Sequence, residues 1–415
     1  MPGTWDTIDR YMIISSDTHA GADLLDYKEY LDARWHDDFD AWAKGYSSPY
    51  DDLMHATAKR NWDSEFRQSE LEADGLTAEL VFPNTVPPFF NTIGNFATLP
   101  WTPEEFEQRW AGLQAHNRWL VDFCNKLPLQ RRGIVQVFPH DIDKAIAEMR
   151  WAKDTGVIAG VLLPAVPPNH SVLPYHHPRY EPLWSAFEEL ELPFHQHPGT
   201  GGPDVGSDTP AAAAVMMFEF NHWTRRTLAH LVYAGVFERH PNLKAVWTEN
   251  GTAWVLQELM MMDAYLTSMT GDNRTGSLFG SDVINSLTLK PSEYFARQCY
   301  IGASFINRAE ALTRYKVGVD KIMWGADYPH NEGTSPYSRE AIRAAFFDVP
   351  EPELRQLLAG TAGRLYGFDL EALTPIAQRV GPTIEEIAVP LDRIPPDAES
   401  GAFAGVGEAW AKKMG

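Results

Sequence analysis

Residues Gly133–Leu163 read GIVQVFPHDIDKAIAEMRWAKDTGVIAGVLL. The apolar, β-branched run Gly133–Phe138 has the composition of a strand, and Pro139, which lacks a backbone N–H, stops it. Asp141 is placed to cap a helix, because a side-chain oxygen there can accept from the free N–H groups of the first turn. Ile142, Ala145, Ile146 and Met149 then recur at i, i+3, i+4 and i+7, which puts them on one helical face. Gly156 ends the helix, and Val157–Leu163 is a second apolar strand. The segment is one strand–helix–strand step, the unit from which parallel sheets are built.

Outward from this unit the alternation continues in both directions. Tyr11–Ser16, Ala78–Pro83, Glu191–His197, Leu243–Thr248, Gln298–Ala303 and Asp320–Ala326 supply six further strands, making eight. Several are almost continuously apolar, as strands covered on both faces are. Eight steps predict an α/β fold, a distorted (β/α)8 TIM barrel with long loop insertions over residues 1–370, although an open doubly wound sheet gives the same alternation. The connections after strands one, five and six are long, which in a barrel puts extra chain at the C-terminal face, where such enzymes build their sites. After strand two, Pro83–Trp101 carries Phe89, Phe90, Phe96 and Trp101, rings that either wall a pocket or pin the loop. Residues 371–415 read as a C-terminal extension packing on the barrel or on a neighbouring subunit. Its end, Gly381–Gly415, is rich in Pro, Glu and Ala and closes in a short helical tail.

Composition narrows the function classes. The 415 residues include 44% hydrophobic residues, enough for a large core, and 35 basic against 56 acidic residues give a formal charge of −21. That balance opposes binding to nucleic acid, which proteins hold mainly through Lys and Arg. No apolar run approaches the roughly 20 residues of a membrane span, and MPGTWDTIDR has neither the basic nor the apolar part of a signal peptide. A soluble, cytoplasmic protein is expected. Two cysteines, Cys124 and Cys299, cannot make a disulfide framework and read as small apolar residues.

Four short segments at predicted strand ends carry chemistry. Asp17-Thr18-His19 follows MIISS, and its i and i+2 side chains face the same way; alternatively Asp17 caps a turn. His195-Gln196-His197-Pro198-Gly199 ends strand five, with glycines at 199, 201 and 202 that let backbone approach a bound group. Imidazole with carboxylate suits zinc, manganese or iron, while the plain alternative leaves the histidines to core hydrogen bonds. Glu249 follows KAVWT at the end of strand six, where it faces a pocket or caps the next helix with Asn250. Asp327, in WGADYPH, ends strand eight, where a carboxylate can ligate an ion or accept a proton from bound water. From strand one, five and eight ends, Asp17, His19, His197 and Asp327 converge on one cation if the barrel closes. His176, His177 and the run Met260-Met261-Met262 are assigned to surface and core packing.

With DTH, LEADGLTAELVFPN, HPG, GVFERHPNLKAVWTENG, MWGADYPHNE and GTAGRLYGFD in this order, the chain from Tyr11 to Leu365 resembles the amidohydrolase superfamily. The resemblance is to the amidohydrolase-related family that includes aminocarboxymuconate semialdehyde, γ-resorcylate and carboxyvanillate decarboxylases. It implies one divalent metal at the barrel mouth, zinc first with manganese or iron as alternatives, and a homodimer. His197 matches the family's strand-five ligand, and Asp327 the strand-eight aspartate that binds metal and handles the proton. The family's opening motif is often His-x-His, whereas here Asp17 stands first. Its catalytic strand-six histidine is replaced by Glu249. His195 is placed as an additional ligand or supporting donor, and His330 as a substrate contact.

The leading expectation is a metal-dependent hydrolase: Asp327 takes a proton from metal-activated water, the hydroxide attacks a small carboxylic derivative, and Glu249 orients substrate or shares proton transfer. The alternative is a non-oxidative decarboxylase at the same site, with Asp327 protonating the carbon that loses carbon dioxide. A third reading is a barrel that binds a ligand without turnover.

Overall fold

The computed structural model describes residues 4–46, 56–84, 87–90, 92–93, 96–168, 170–202, 209–271 and 273–406. The expected short helical tail at the chain end and part of the aromatic loop after strand two lie outside the described residues. Eight parallel strands follow one another around a barrel: β1 Ile14–Ala20, β2 Ala78–Pro83, β3 Arg131–Gln136, β4 Ile158–Leu162, β5 Phe194–Gln196, β6 Ala245–Thr248, β7 Cys299–Ser304 and β8 Ile322–Gly325. The ring is completed where β8 runs out. Asp327 N donates to Asp17 O at 2.9 Å and His19 N donates to Tyr328 O at 2.7 Å, so the chain after β8 pairs with β1. The open doubly wound alternative is thereby set aside.

Strand periodicity sorts the core. Ile14, Leu80, Phe82, Ile134, Val246 and Met323 point into the barrel and pack on Tyr366 of the helix Thr361–Tyr366. Their neighbours Val81, Val135, Val161, Trp247, Ile301 and Trp324 point outward under the helical layer. In the unit at residues 133–163, Asp141 accepts from Lys144 N, and the helix Ile142–Asp154 ends before Gly156, whose φ is 74°.

Three features differ from the sequence reading. β1 starts later than expected and runs on through Asp17 and His19, because closure against the end of β8 supplies backbone partners there. β5 is shorter than expected, leaving His197 just beyond it. Of the methionine run, only Met262 is in the core; Met260 and Met261 are 65% and 45% exposed. Beyond the barrel, Tyr11 N donates to Pro382 O, and Ala402, Phe403 and Val406 pack on Ala341 and Ala344. Cys124 and Cys299 are buried and unbridged. Among the described residues no helix is long and apolar enough to cross a membrane.

Candidate metal centre

Six side chains from four strand ends meet at the C-terminal mouth of the barrel. Asp17 Oδ1 lies 3.4 Å from both His19 Nε2 and His197 Nε2. His19 Nε2 is also 3.1 Å from Asp327 Oδ1, and His197 Nε2 is 3.2 Å from Glu249 Oε2. His330, one turn past Asp327, places Nδ1 3.0 Å from Asp327 Oδ1. The candidate ligand atoms of Asp17, His19, His197 and Glu249 all lie within 4.8 Å of one another, and those of His19, Asp327 and His330 form an overlapping group.

Hydrogen bonds behind the two central histidines orient them. His19 Nδ1 donates to Pro83 O at 3.1 Å and His197 Nδ1 donates to Pro198 O at 2.5 Å. A carbonyl only accepts, so each Nδ1 carries a hydrogen and each ring turns its Nε2 towards the carboxylates, the atom that can bind an ion once its own proton has left. Imidazole ligands of metals are commonly held this way. Ser304 Oγ donates to Asp17 Oδ2, leaving Oδ1 facing the histidines.

The electrostatics of the cluster call for a cation. Asp17 and Asp327 are fully buried and His19 and His197 nearly so. Burial works to raise the Asp17 carboxyl, but His197 and the hydrogen bonds from both histidines outweigh it and hold it well below the usual range. Burial and His330 work to lower the His19 imidazole, yet hydrogen bonds to Asp17 and Asp327 raise it; Asp17 likewise outweighs burial at His197. Glu249 is pushed well above the usual range by burial and by the nearby Asp327 charge. In the protein alone, then, His19, His197 and Glu249 hold their protons more tightly than the free groups do. A divalent ion can replace those protons, and nitrogen and oxygen donors in this mixture fit zinc, manganese or iron.

The backbone is bent to deliver these groups. Glu249, Phe305 and Asp327, just past the ends of β6, β7 and β8, have φ of 54°, 55° and 56°. Left-handed backbone at residues with a side chain costs on the order of 1–3 kcal/mol each and collects at functional sites. Gly325 is required for a different reason: a Cβ there would stand 2.8 Å from Asp17 Cβ.

Beneath the same strand lies a second ionic cluster. Glu79 of β2 is 2.6 Å from Arg67 Nη2 and 2.9 Å from Arg131 Nε, all three being buried. Thr18 Oγ1 donates to Glu79 at 2.9 Å, and Arg67 Nη1 donates to His19 O at 2.7 Å. Burial alone would raise the Glu79 carboxyl, but the two guanidinium groups hold it at about 2. This cluster grips the backbone that carries Asp17 and His19.

The structure thus brings together Asp17, His19, His197, Glu249, Asp327 and His330. His195 does not join them. Its ring stacks on Tyr366 at 5.6 Å, meets Phe82 edge-on at 5.2 Å, and places Nδ1 3.4 Å from Thr248 Oγ1. Burial, and then the neighbouring His197, lower its imidazole to about 3. A strand rises about 3.3 Å per residue, so a group two positions before His197 sits one layer deeper in the barrel. Glu249 faces His197 and does not cap the helix Ala253–Met269, which begins after Thr252. His176 and His177 are exposed, and His177 accepts from Arg179 N. Sequence reasoning missed Ser304 and the carbonyls of Pro83 and Pro198; the only available signal was the position of Ser304 at the end of the seventh strand.

Comparison with known proteins agrees with this architecture. Residues 96–368 match the family model described as Amidohydrolase. γ-Resorcylate decarboxylases are among the similar proteins: that of Rhodococcus jostii (strain RHA1) is 27% identical over 234 residues, 51% of this chain and 64% of that protein. That of Polaromonas sp. (strain JS666 / ATCC BAA-500) is 22% identical over 220 residues, 51% of this chain and 64% of that protein. The chain therefore spans just under two thirds of the length of these relatives. Among solved structures, 5-carboxyvanillate decarboxylase from Sphingomonas paucimobilis has a TM-score of 0.65 at 18% identity, covering 86% of this chain and 99% of that chain. The same activity's enzyme from Novosphingobium aromaticivorans DSM 12444, a mutant with bound manganese, has a TM-score of 0.65 at 17% identity, covering 86% of this chain and 98% of that chain. At these identities the structures establish a shared fold, and the family match extends over most of the barrel. The chain belongs to the amidohydrolase family.

Proposed function

We propose that the protein is a metal-dependent, non-oxidative decarboxylase of an aromatic carboxylic acid. The observation that carries this reading is the buried convergence of Asp17, His19, His197 and Asp327, with both histidines presenting Nε2. The decarboxylases among its relatives support carbon dioxide release over the hydrolysis expected from the residues first, and they support turnover over binding alone. Asp17, His19, His197 and Asp327 would hold one divalent ion; manganese in a solved neighbour supports that ion, and zinc or iron suits the same donors. When bound, the ion supplies positive charge that fixes the substrate carboxylate and the oxygen beside it.

The chain's own residues do the rest. Asp327 delivers a proton to the ring carbon that bears the carboxylate, and His330, 3.0 Å away, returns a proton to Asp327. The bond between that carbon and the carboxylate then breaks, its electron pair returns to the ring, and carbon dioxide leaves. Glu249, whose side chain is 21% exposed while the aspartates are closed off, faces the open side and orients the substrate. Phe82, 4.9 Å from the His197 ring, forms the apolar wall beside the reacting group.

One observation favours the second reading, hydrolysis: Glu249 stands where the decarboxylases resembled carry a histidine. The two are separated by incubating manganese-, zinc- and iron-loaded protein with ortho-hydroxylated aromatic acids, including 2,6-dihydroxybenzoate, and with lactones, amides and esters. Carbon dioxide release, with deuterium from heavy water on the vacated carbon, is the expected result. Cleavage of the second panel without carbon dioxide overturns it. A homodimer belongs to the same proposal, supported by exposed Met217, Phe218, Met260, Met261, Leu278 and Phe279; a monomer in light scattering removes that part.

A further inference from the structure

At the opposite end of the strands from the metal centre lies a cavity of about 580 Å³. It is built on the N-terminal ends of four strands: Ile158 opens β4, Pro193 and Lys244 directly precede β5 and β6, and Tyr300 is the second residue of β7. The helix Thr361–Tyr366 closes another side with Arg364 and Leu365, and Phe187, Leu192 and Leu365 give the cavity an apolar wall. The proposed reaction uses none of these side chains.

Donors gather there without acceptors to meet them. Lys244 is half-buried and has no carboxylate partner among the described residues; burial, and then the neighbouring Lys321, lower its ammonium pKa. Lys321 Nζ lies 4.7 Å from the centre of the Tyr300 ring. Arg364 Nη1 donates to Gln356 Oε1 at 2.9 Å, no carboxylate among the described residues pairs with this guanidinium, and its charge acts on the Tyr300 hydroxyl, which has no hydrogen-bond partner among them. Two carboxylates line the cavity. Glu188 is already taken, with Oε2 3.1 Å from His240 Nδ1 and Oε1 accepting from Asn242 N at 2.8 Å, and Glu191 is exposed to solvent. The chain carries a formal charge of −21, so its overall field repels anions. Against that background, neighbouring ammonium groups withdrawn from water without a carboxylate cost stability unless an anion compensates them.

We propose that this cavity binds an organic phosphate monoester, with Lys244, Arg364 and the Tyr300 hydroxyl on the phosphate and the organic part against Phe187, Leu192 and Leu365. Donors carried by three separate elements suit the three terminal oxygens of a phosphate, which spread in three directions, better than the two coplanar oxygens of a carboxylate. The cavity is far larger than inorganic phosphate and falls in the range of small-ligand sites, which the apolar wall also fits. The site stands whatever reaction the metal end performs.

The test is calorimetric titration of the protein as purified, at fixed ionic strength, with phenyl phosphate, 1-naphthyl phosphate, inorganic phosphate and, as planar counterparts, benzoate and 1-naphthoate. At least one ester is expected to bind about tenfold tighter than inorganic phosphate. Lys244→Gln is expected to weaken that ester about tenfold and Lys244→Arg to keep most of its affinity, while the carboxylates bind as before. Asp327→Asn, a change at the metal end, is expected to leave ester binding as it is. Should Lys244→Gln not fold, Arg364→Gln, at an exposed position, is expected to weaken the ester about threefold. The inference is overturned if no ester gains over inorganic phosphate, or if the gain survives Lys244→Gln or, in its place, Arg364→Gln. It is equally overturned if the same variant weakens the carboxylates as much as the ester, or if Asp327→Asn abolishes ester binding.

Discussion

Two buried ionic clusters flank β1 and differ in how their charges are met. The Arg67–Glu79–Arg131 cluster closes on itself: Glu79 bonds both guanidinium groups and Thr18, and Arg67 uses its remaining reach on His19 O. The Asp17–His19–His197–Glu249–Asp327–His330 cluster has three carboxylates and no Lys or Arg, and it balances only by keeping protons or by taking a cation. Complete pairing marks a cluster that holds the fold. Incomplete pairing at strained strand ends marks one that holds a ligand.

The comparison is broken most severely at Asp327. Asp327→Asn keeps the size and removes the charge and the proton, and turnover should fall by about a thousandfold or more while the unfolding midpoint of the metal-free protein moves little. Comparable loss of stability and activity would mean that the metal cluster also holds the fold. Glu79→Gln should do the reverse, lowering stability by about 3–5 kcal/mol in chemical denaturation because two buried guanidinium groups lose their carboxylate. Arg67 and Arg131 hold Glu79 at about 2 against an ordinary 4.5, so its stabilising effect is complete above about 4.5 and is lost as pH falls towards 2. That shift amounts to about 3 kcal/mol, readable as wild-type stability falling through this window more steeply than that of Glu79→Gln.

Smaller effects sharpen the contrast. Ser304→Ala frees Asp17 Oδ2 to turn, and metal affinity in a competition titration should drop by about 10- to 100-fold with the fold intact. Metal affinity should also rise with pH, since the hydrogen-bonded protons that raise His19 and His197 must leave before an ion enters. A pH-independent affinity would place the ion elsewhere.

Much of the barrel is legible as sequence because strand periodicity and helix capping are local. β2 is found at its expected limits, and Asp141 caps its helix as its position implies. Strand ends are less legible, since they depend on partners far along the chain: β1 reaches Ala20 only because residues 327 and 328 pair with it. The same dependence explains the histidine pair on β5. Asp17/His19 and His195/His197 share an i, i+2 spacing, yet both members join the cluster only on β1. There the pairing with β2 shifts between Ser15 and Thr18, with three residues spanning two of the partner, and this bulge re-aims the side chains. On β5 the paired residues stay in step with β6, and His195 is left in the layer below.

The sequence by itself determined the order of strands and helices, the family, and the presence of imidazole and carboxylate at the barrel's C-terminal end, because each follows from local pattern and residue chemistry. Only the tertiary structure decided that Glu249 faces His197, that His195 is excluded, and that Pro83 and Pro198 fix the histidine tautomers. Apart from the bond between the adjacent His197 and Pro198, those outcomes depend on contacts between residues tens to hundreds of positions apart, and even that bond needs the backbone turn after β5, which residue type alone does not encode.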